Sequence, residues 1–407
     1  MGAGEPDMGD VTRGGGDALL GAVLAEVLEA SHRAAPQEIP ALVRGAAQAL
    51  GLGQAEIFLA DVQQKVLVPL PDPQLRQPPD ALDVDRTLAG RAYRTKGIET
   101  ATGPPRVGWV PLVDGIERIG VLRVCAYTSP GPLLDRARAL ASLVTLLVVS
   151  KSTFSDVLVR TVRTHPMSLQ SELLWAFMPP RTIGTRHVTS SATLEPAYQV
   201  AGDAFDHSVA GDLLHLTVVD AMGHDLASGG ASAVALAACR STRRADGTLA
   251  DIARAIDATL NRWIPDRLLT AVIADLDTAT GQLSWVNCGH PPPLLIRGGR
   301  VVPGALEREP HLPLGLATDQ QPVPVHQARL QPGDRVLVHT DGVTEARSTD
   351  GDLFGEQRLI DSVVRAAATG ESAPEVLRRL MRALLVHRDH ALRDDATVML
   401  IEWHPDR

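Results

Sequence analysis

The N-terminal third of the chain alternates between helical and strand-like spacing of its apolar residues. Over residues 18–30 leucine and valine recur every three or four positions, and residues 39–50 repeat that spacing up to a glycine, so each segment predicts an amphipathic helix. The apolar runs at 56–61 and 65–70 then predict the two strands of a hairpin. Two helices followed by a hairpin indicate the start of an α/β domain.

The pattern continues through a short helix and a second hairpin. Residues 88–93 predict the helix, and the runs at 107–112 and 118–125 predict strands joined by a polar turn. This order of elements resembles a GAF-type sensory domain, which we place at residues 17–131. The resemblance implies a small ligand in a pocket over the sheet. A GAF-like domain that only packs or dimerises fits the sequence equally well, because no convergent set of polar residues identifies a ligand.

Two segments flank this domain. Residues 1–16 are rich in glycine and acidic residues and predict a disordered tail. Residues 132–182 are compatible with helix almost throughout and predict a helical signalling linker that stops near two consecutive prolines. An apolar stripe along this linker either pairs with a second copy of the chain, giving a homodimer, or packs inside one chain. The stripe consists of Leu140, Leu143, Val144, Leu147, Phe154, Val157, Leu158 and Val162.

From residue 183 to residue 407 strands alternate with alanine-rich helices. Runs such as 213–219 and 271–276 predict strands, while 231–239 and 249–260 predict helices. Strands, then a helix pair, then more strands indicate an α+β fold built as a layered sandwich.

Composition and charge limit which binding partners and which cellular compartment are expected. At 407 residues the chain exceeds one ordinary core, so two or three domains are expected. The net charge of -9 argues against nucleic-acid binding, since phosphate backbones are held chiefly by Lys and Arg. Three widely spaced cysteines fit a reducing cytoplasm. No secretory signal is visible and the longest apolar run, residues 137–150, is too short to cross a bilayer, so we predict a cytoplasmic protein without a membrane segment.

Four aspartates stand at the ends of apolar runs in the C-terminal domain: Asp203, Asp220, Asp341 and Asp394. Asp203 and Asp341 adjoin glycines, and either one alone fits a turn residue. Carboxylates gathered at strand ends repel one another unless they share a cation, and Mg²⁺ or Mn²⁺ prefers such oxygen ligands. The four together therefore predict a divalent metal site. Two ions about 4 Å apart would ready a water molecule for attack on a phosphoryl group.

A series of short motifs surrounds these aspartates. In chain order they are Gly202-Asp203-Ala204-Phe205-Asp206, Asp220-Ala221-Met222-Gly223-His224, Leu269-Thr270-Ala271, Asn287-Cys288-Gly289-His290-Pro291, Leu314-Gly315, Thr340-Asp341-Gly342-Val343-Thr344-Glu345-Ala346 and Asp394-Asp395-Ala396-Thr397. Together they resemble the PPM family of metal-dependent serine/threonine protein phosphatases, in its bacterial sporulation and stress-response branch. The resemblance covers residues 188–403 and implies an α/β-β/α sandwich.

The resemblance also implies a ligand set for two Mn²⁺ or Mg²⁺ ions. Asp220 would bridge both ions, and Asp203 would hold one of them together with the backbone carbonyl of Ala221. Asp341 and Asp394 would hold the other ion. These assignments are expectations carried over position by position.

Three further residues have expected roles beside the ligands. Asp395 and Asn287 would support them from behind, Asp395 because consecutive residues on a strand point to opposite faces. His224 is either the general acid for the leaving serine oxygen or a loop histidine bonded to backbone. Asp225 stands where the family usually has glycine, which suggests an altered backbone angle in this loop.

The resulting hypothesis is a metal-dependent phosphatase that hydrolyses phosphoserine or phosphothreonine on a partner protein under control of the N-terminal domain. By resemblance, the partner would be an anti-sigma-factor antagonist. The alternative is a phosphatase-like scaffold that binds the partner without turnover. A two-metal nuclease is disfavoured by the acidic net charge.

Overall fold

The structure is a computed structural model that divides the chain into two units, Met1–Thr164 and His165–Arg407. It describes residues 8–101, 103, 106–126, 131–316, 322–368, 370–388, 392 and 394–405. Within these ranges no helix combines the length and the apolarity that a bilayer crossing requires.

The N-terminal unit is built on one antiparallel six-stranded sheet in the order β3-β2-β1-β6-β5-β4. The strands are β1 (Gln54–Ala60), β2 (Val66–Pro69), β3 (Leu82–Asp83), β4 (Glu99–Thr100), β5 (Arg106–Asp114) and β6 (Glu117–Ala126). The helices are α1 (Met8–Arg33), α2 (Ile39–Ala49), α3 (Leu88–Thr95), α4 (Gly131–Ser152) and α5 (Asp156–Thr161), with a 3₁₀ turn at Pro36–Glu38. Both predicted hairpins are confirmed, as β1 with β2 and β5 with β6.

Apolar residues on both faces of this sheet produce two cores. Along β1, Ile57 and Leu59 face the core shared with α1, α2 and α4, whereas Phe58 faces α3 and packs with Tyr93. This alternation follows from the period of two along a strand. The GAF resemblance stays a prediction.

Residues 8–16 of the predicted disordered tail are the first turns of α1 in this structure. Adding residues to an existing helix costs little, because the unfavourable step is nucleation, and the amphipathic segment behind them supplies the nucleus. Residues 1–7 of the predicted tail lie outside the described residues.

The predicted linker at 132–182 is divided between the two units. Leu140, Val144 and Leu158 are buried in the core of the N-terminal unit, so α4 and α5 belong to that unit. The helix breaks follow from local capping, since the side chain of Ser155 accepts a hydrogen bond from the first turn of α5. Ser168 caps the next helix, α6 (Leu169–Phe177), in the same way. Most of the apolar stripe is thus used inside one chain, and pairing with a second copy stays a prediction.

The C-terminal unit contains two antiparallel sheets in the orders β15-β12-β11-β10-β9 and β14-β13-β16-β17-β8-β7. Its strands are β7 (Thr182–Gly184), β8 (Val188–Glu195), β9 (Asp203–Ala210), β10 (Leu213–Ala221), β11 (Leu269–Asp277), β12 (Gln282–Cys288), β13 (Leu294–Arg297), β14 (Arg300–Val301), β15 (His326–Arg329), β16 (Arg335–His339) and β17 (Ala396–Trp403). Besides α6, its helices are α7 (Leu226–Arg243), α8 (Leu249–Trp263), α9 (Asp341–Thr344), α10 (Gly355–Ala368) and α11 (Ala373–His387).

Three cores separate four layers in this unit. Phe205, Val218 and Met399 pack between the two sheets, α6, α7 and α8 cover the outer face of the first sheet, and α10 and α11 cover the second. The central strands β10, β11, β16 and β17 therefore bury both faces, which explains their mostly apolar sequences. The predicted layered α/β-β/α sandwich is confirmed.

Candidate active site

Two of the predicted aspartates lie side by side on neighbouring strands of the first sheet. The β9–β10 hairpin sets Asp203, the first residue of β9, directly opposite Asp220 near the end of β10. Residues opposite each other in an antiparallel pair have Cβ atoms about 4.5–5.5 Å apart and share a face. Asp203 is 2% exposed, whereas Asp220 is half-buried. The register of this hairpin alone is enough to bring the two carboxylates together.

The second sheet supplies the other two aspartates. Asp341 begins α9, two residues after the last residue of β16, and Asp394 lies two residues before the first residue of β17; both residues are exposed. Thr340 connects the sheets, because its Oγ1 donates to Oδ2 of Asp203 at 2.7 Å and its amide donates to the carbonyl of Thr397 at 3.0 Å. The two sheets therefore meet at this edge through side chains rather than through a shared ladder.

Asp395 occupies a pocket of backbone amides behind the cluster. Its Oδ2 accepts hydrogen bonds from the amides of Ala201 at 2.8 Å, Gly202 at 2.7 Å and Asp203 at 3.0 Å. Asp395 is 7% exposed, and its own amide donates to Oδ1 of Asp394 at 3.0 Å. It fastens the entry of β9 to the start of β17.

The carboxylates perturb one another's protonation. Burial, followed by the charges of Asp341, Asp394 and Asp395, raises the pKa of Asp220 to about 7. Burial and the charge of Asp220 raise the pKa of Asp203 well above its usual range. Such mutual shifts require that the groups lie close together in a partly desolvated place. A nearby cation would remove the repulsion.

The donor chemistry of the cluster suits a hard divalent cation. All of the side-chain donors are carboxylate oxygens, the ligands that Mg²⁺ and Mn²⁺ favour. Among the residues described, no group of three or more His, Cys, Asp or Glu side chains is already arranged to hold a metal ion. This arrangement still fits Mg²⁺, which is usually held by one or two carboxylates with water completing its shell.

The loop after β10 carries two of the predicted residues. The carbonyl of Ala221 lies so close to Gly202 that a Cβ at position 202 would come within 2.5 Å of that oxygen, so only glycine fits there. Gly223 takes the positive φ of 101° that turns the loop. His224 is exposed, and no hydrogen bond to another described residue fixes its ring.

A clamp that the sequence did not reveal holds this loop. Arg267 Nη2 lies 2.6 Å from Asp225 Oδ2, and Arg267 Nη1 donates to the carbonyl of Met222 at 3.3 Å. Asp225 has ordinary extended angles, φ -103° and ψ 177°, and caps α7 by accepting from the amide of Ser228 at 2.9 Å. The positive φ of the loop falls on Gly223 and not on Asp225, and an angle altered relative to the family pattern stays a prediction. Hydrogen bonds from Ser228, with Arg267, lower the pKa of Asp225 to about 2.

Asn287 acts at a distance from the carboxylates. Its side chain closes the turn to His290, accepting from the amide of His290 and donating to its carbonyl, both at 2.8 Å. His290 Nδ1 lies 2.7 Å from Thr270 Oγ1, and Thr270 pairs with Asp220 across β11 and β10. Asn287 is therefore linked to Asp220 through His290 and Thr270.

Sequence reasoning missed Thr340 and Arg267. Thr340 stands inside a motif already singled out, next to Asp341, so a hydroxyl before a site aspartate was the available signal. Arg267 had none, because its partner Asp225 lies 42 positions away and the pair exists only in the fold.

Comparison with known proteins places this site in a family context. Residues 210–404 match the family model described as Stage II sporulation protein E (SpoIIE). This match supports a phosphatase domain of that type and includes Asp220, Asp341 and Asp394, whereas Asp203 precedes its first matched residue.

The individual relatives align with only part of this chain, and the chain in turn spans less than two thirds of the length of each of them. Protein IcfG of Synechocystis sp. is 27% identical over 127 residues, which is 31% of this chain and 19% of that protein. The RsbU and RsbW domains of Rv1364c from Mycobacterium tuberculosis are 24% identical, with 53% of this chain and 61% of that chain covered and a TM-score of 0.44. The PP2C phosphatase domain of SpoIIE from Bacillus subtilis, with a fragment of its regulatory domain, is 17% identical over 53% of this chain and 64% of that chain, with a TM-score of 0.44. Both TM-scores are below 0.5, so neither superposition assigns the fold.

Proposed function

We propose that the C-terminal unit of this chain is a Mn²⁺- or Mg²⁺-dependent phosphatase that hydrolyses phosphoserine or phosphothreonine on a partner protein. The observation that carries the proposal is the convergence of Asp203, Asp220, Asp341 and Asp394 from two sheets on one edge of the sandwich. The SpoIIE-type match over the same region supports it.

We assign the ligands of two ions as follows. Asp220 would lie between both ions, with Asp203 and the carbonyl of Ala221 on one side and Asp341 and Asp394 on the other. Divalent cations at such a site lower the pKa of water and neutralise charge on a phosphoryl group. The hydrogen bond from the hydroxyl of Thr340 leaves only part of the Asp203 carboxylate free for a cation.

The protein's own groups then have positioning and proton-transfer roles. Attack of a water oxygen on phosphorus breaks the P–O bond to the serine side chain and releases inorganic phosphate. The departing serine oxygen must take up a proton, and His224, exposed on the loop after β10, is the proposed donor. Asp395 would hold the entry of β9 in place throughout, through its three amide contacts.

The N-terminal unit is the proposed regulatory part, of GAF type. A cavity of about 250 Å³ between β5 and α4, lined by apolar residues that include Val107, Val110 and Leu134, supports binding of a small apolar ligand there. We further propose a cytoplasmic homodimer whose substrate is an anti-sigma-factor antagonist. Mass measurement by light scattering of the full chain tests the dimer, and a monomer at all concentrations would refute it.

The function is tested by phosphate release from a phosphoserine protein and from p-nitrophenyl phosphate. The wild type should turn over both with Mn²⁺ and neither with EDTA, and Asp220→Asn should reduce both rates by at least about a hundredfold. Asp246→Asn, an exposed turn residue with φ 59°, is the matched control and should retain full activity. Background rates for the wild type, combined with binding of the phosphoprotein, would instead support the non-catalytic scaffold.

A further inference from the structure

A cavity of about 640 Å³ opens beside the aspartate cluster and has no assigned occupant. Gly342 and Asp394 form its inner side, so the cavity is continuous with the proposed phosphoryl site. Its outer wall is the segment 345–351, and Arg388 and Leu392 close it from the other side. The volume is that of a site for a drug-sized ligand or several residues of peptide, far beyond the needs of a phosphate group.

The wall of the cavity is held in place by hydrogen bonds. The segment folds back on itself, with the amide of Ser348 donating to the carbonyl of Asp352 at 2.8 Å and the amide of Phe354 to the carbonyl of Ala346 at 2.7 Å. His387 Nε2, at the end of α11, lies 2.9 Å from the carbonyl of Asp352. These contacts connect the wall to the helix that presents Arg388, so both sides of the cavity have a defined spacing.

Two arginines give the cavity its recognition chemistry. Nε of Arg388 is buried and has no hydrogen-bond partner within the described part of the chain. Arg347 is exposed, and its Nη1 donates a hydrogen bond to the carbonyl of Gly351 at 3.2 Å. In the described ranges neither guanidinium has an ion pair. A buried donor without a partner costs free energy, so Arg388 would be stabilised by pairing with an anion.

The charge balance of the lining favours an acidic ligand. Its charged members are Arg347, Arg388, Glu345 and Asp394. When Asp394 is committed to a cation, as in the proposed function, two guanidinium groups face a single remaining carboxylate. Guanidinium groups pair best with carboxylate or phosphate, often through two parallel hydrogen bonds.

We propose that this cavity binds the segment of the phosphoprotein that flanks the phosphoserine, and that Arg388, assisted by Arg347, pairs with an Asp or Glu side chain of that segment. The inference rests on the proposed function, because the phosphoseryl group has to lie at the aspartate cluster. Successive Cα atoms are about 3.8 Å apart, so residues one to three positions from the phosphoserine fall inside a cavity of this size. The site thus selects substrates with an acidic neighbour of the phosphoserine.

The test compares two phosphoserine peptides that differ only in having Glu or Gln at the flanking positions. With Mn²⁺, the wild type should show a kcat/KM about tenfold higher for the Glu peptide, carried mainly by KM, as expected for one charge-assisted hydrogen-bonded pair. Arg388→Gln should abolish this preference and leave turnover of p-nitrophenyl phosphate unchanged. Arg347→Gln should reduce the preference in part. Arg365→Gln, an exposed arginine of α10 outside the cavity lining, is the control and should keep the preference.

The outcomes separate this inference from the proposed function. An equal preference in the wild type and in Arg388→Gln overturns the inference, as does a parallel loss of p-nitrophenyl phosphate turnover, which would place the guanidinium on the phosphoryl group itself. If the wild type hydrolyses nothing, the proposed function fails, and fluorescence anisotropy of the labelled peptides decides the inference separately. The inference is supported if the Glu peptide binds more tightly and Arg388→Gln loses this difference. It is refuted if the Glu and Gln peptides bind equally.

Discussion

Asp206 provides the sharpest test of how the scaffold around the site is held. This carboxylate lies on β9 and is 2% exposed. Arg240 of α7 approaches its Oδ1 at 2.6 Å through Nη2, and Arg243 approaches its Oδ2 at 2.9 Å. Arg240 Nη2 also donates to the carbonyl of Phe177, at the end of α6, at 2.5 Å. Three elements of the C-terminal unit are therefore joined by one buried charge.

Asp206→Asn should lower the free energy of unfolding of the C-terminal unit by about 2–3 kcal/mol. Removing one partner of a fully buried ion pair costs about 3–5 kcal/mol, because the remaining charge stays desolvated. The side chains of Arg240 and Arg243 keep 20% and 18% exposure, so water recovers part of that cost. For a unit of this size, the loss corresponds to a decrease of about 4–12 °C in Tm.

Urea or thermal unfolding followed by tryptophan fluorescence is the assay. Four of the five tryptophans, all except Trp109, lie in the C-terminal unit, so the signal reports mainly on that unit. Asp246→Asn is the control and should leave the midpoint unchanged. A midpoint for Asp206→Asn within error of the wild type would refute the assignment of a stabilising role to this cluster.

The pH dependence of stability gives an independent test of the role of Asp206, and the direction of the effect follows from its pKa. Burial alone would raise the pKa of Asp206, but the hydrogen bonds and charges of Arg240 and Arg243 outweigh it and hold the pKa below its usual value. A group whose pKa is lowered on folding stabilises the protein above its unfolded pKa, about 3.9 for Asp, and loses that contribution as the pH falls through the folded value. The difference between wild type and variant should therefore be full at neutral pH and shrink below pH about 4. A constant difference down to low pH would indicate a steric effect.

Three further predictions concern the aspartate cluster and its loop. Because the pKa of Asp220 is raised to about 7, a cation must displace a proton there, so calorimetry should show Mn²⁺ affinity rising about tenfold per pH unit up to pH about 7 and levelling above it. Thr340→Val removes the 2.7 Å hydrogen bond to Asp203 and should weaken Mn²⁺ binding by about tenfold or more, whereas Thr340→Ser should retain it. Arg267→Gln should raise the Mn²⁺ concentration for half-maximal activity about tenfold by freeing the loop, and Asp225→Asn should add little to that variant because the two residues act as a pair.

Each of these has a contrary result. Mn²⁺ affinity that does not change between pH 6 and pH 8, taken as round test values around the raised pKa, would show that the ion displaces no proton from Asp220. Equal Mn²⁺ affinity of Thr340→Val and Thr340→Ser would show that the Thr340 hydroxyl has no role in metal binding. Additive effects of Arg267→Gln and Asp225→Asn would mean that the two side chains act separately. If the Mn²⁺ concentration for half-maximal activity is unchanged in Arg267→Gln, the pair has no role in metal binding.

Much of the fold was predictable because its strands follow simple periods. The hairpins of the N-terminal unit and the strands β10 and β11 were visible as apolar runs bounded by turn residues, and β9 with β10 then set Asp203 opposite Asp220. The α4 and α6 segments were recognised as helical, but the structure divides them between the two units. An apolar stripe shows that a helix must bury one face, and it does not show which core receives that face.

The contacts that join distant segments were beyond sequence reasoning. Thr340 donates to Asp203 across 137 positions, and Asp395 accepts from amides more than 190 positions away. Backbone amides carry no residue signature, so the amide pocket that holds Asp395 leaves no trace in the pattern of side chains. Asp225 shows the opposite case, since a visible departure from the family pattern turned out to be an ordinary helix cap.

The same distant contacts explain why the site depends on the packing of the whole sandwich. Asp203 belongs to the first sheet and accepts its hydrogen bond from Thr340, which follows β16 of the second sheet. Asp395, which precedes β17 of the second sheet, accepts from the amides that lead into β9 of the first. Any sliding of one sheet over the other would break both contacts at once, because each spans the interface at the same edge. The apolar residues between the sheets, such as Phe205 and Met399, therefore help to set the spacing of the carboxylates. Carboxylates that raise one another's pKa would move apart without such a frame, so the site is a property of the two sheets together and of neither alone.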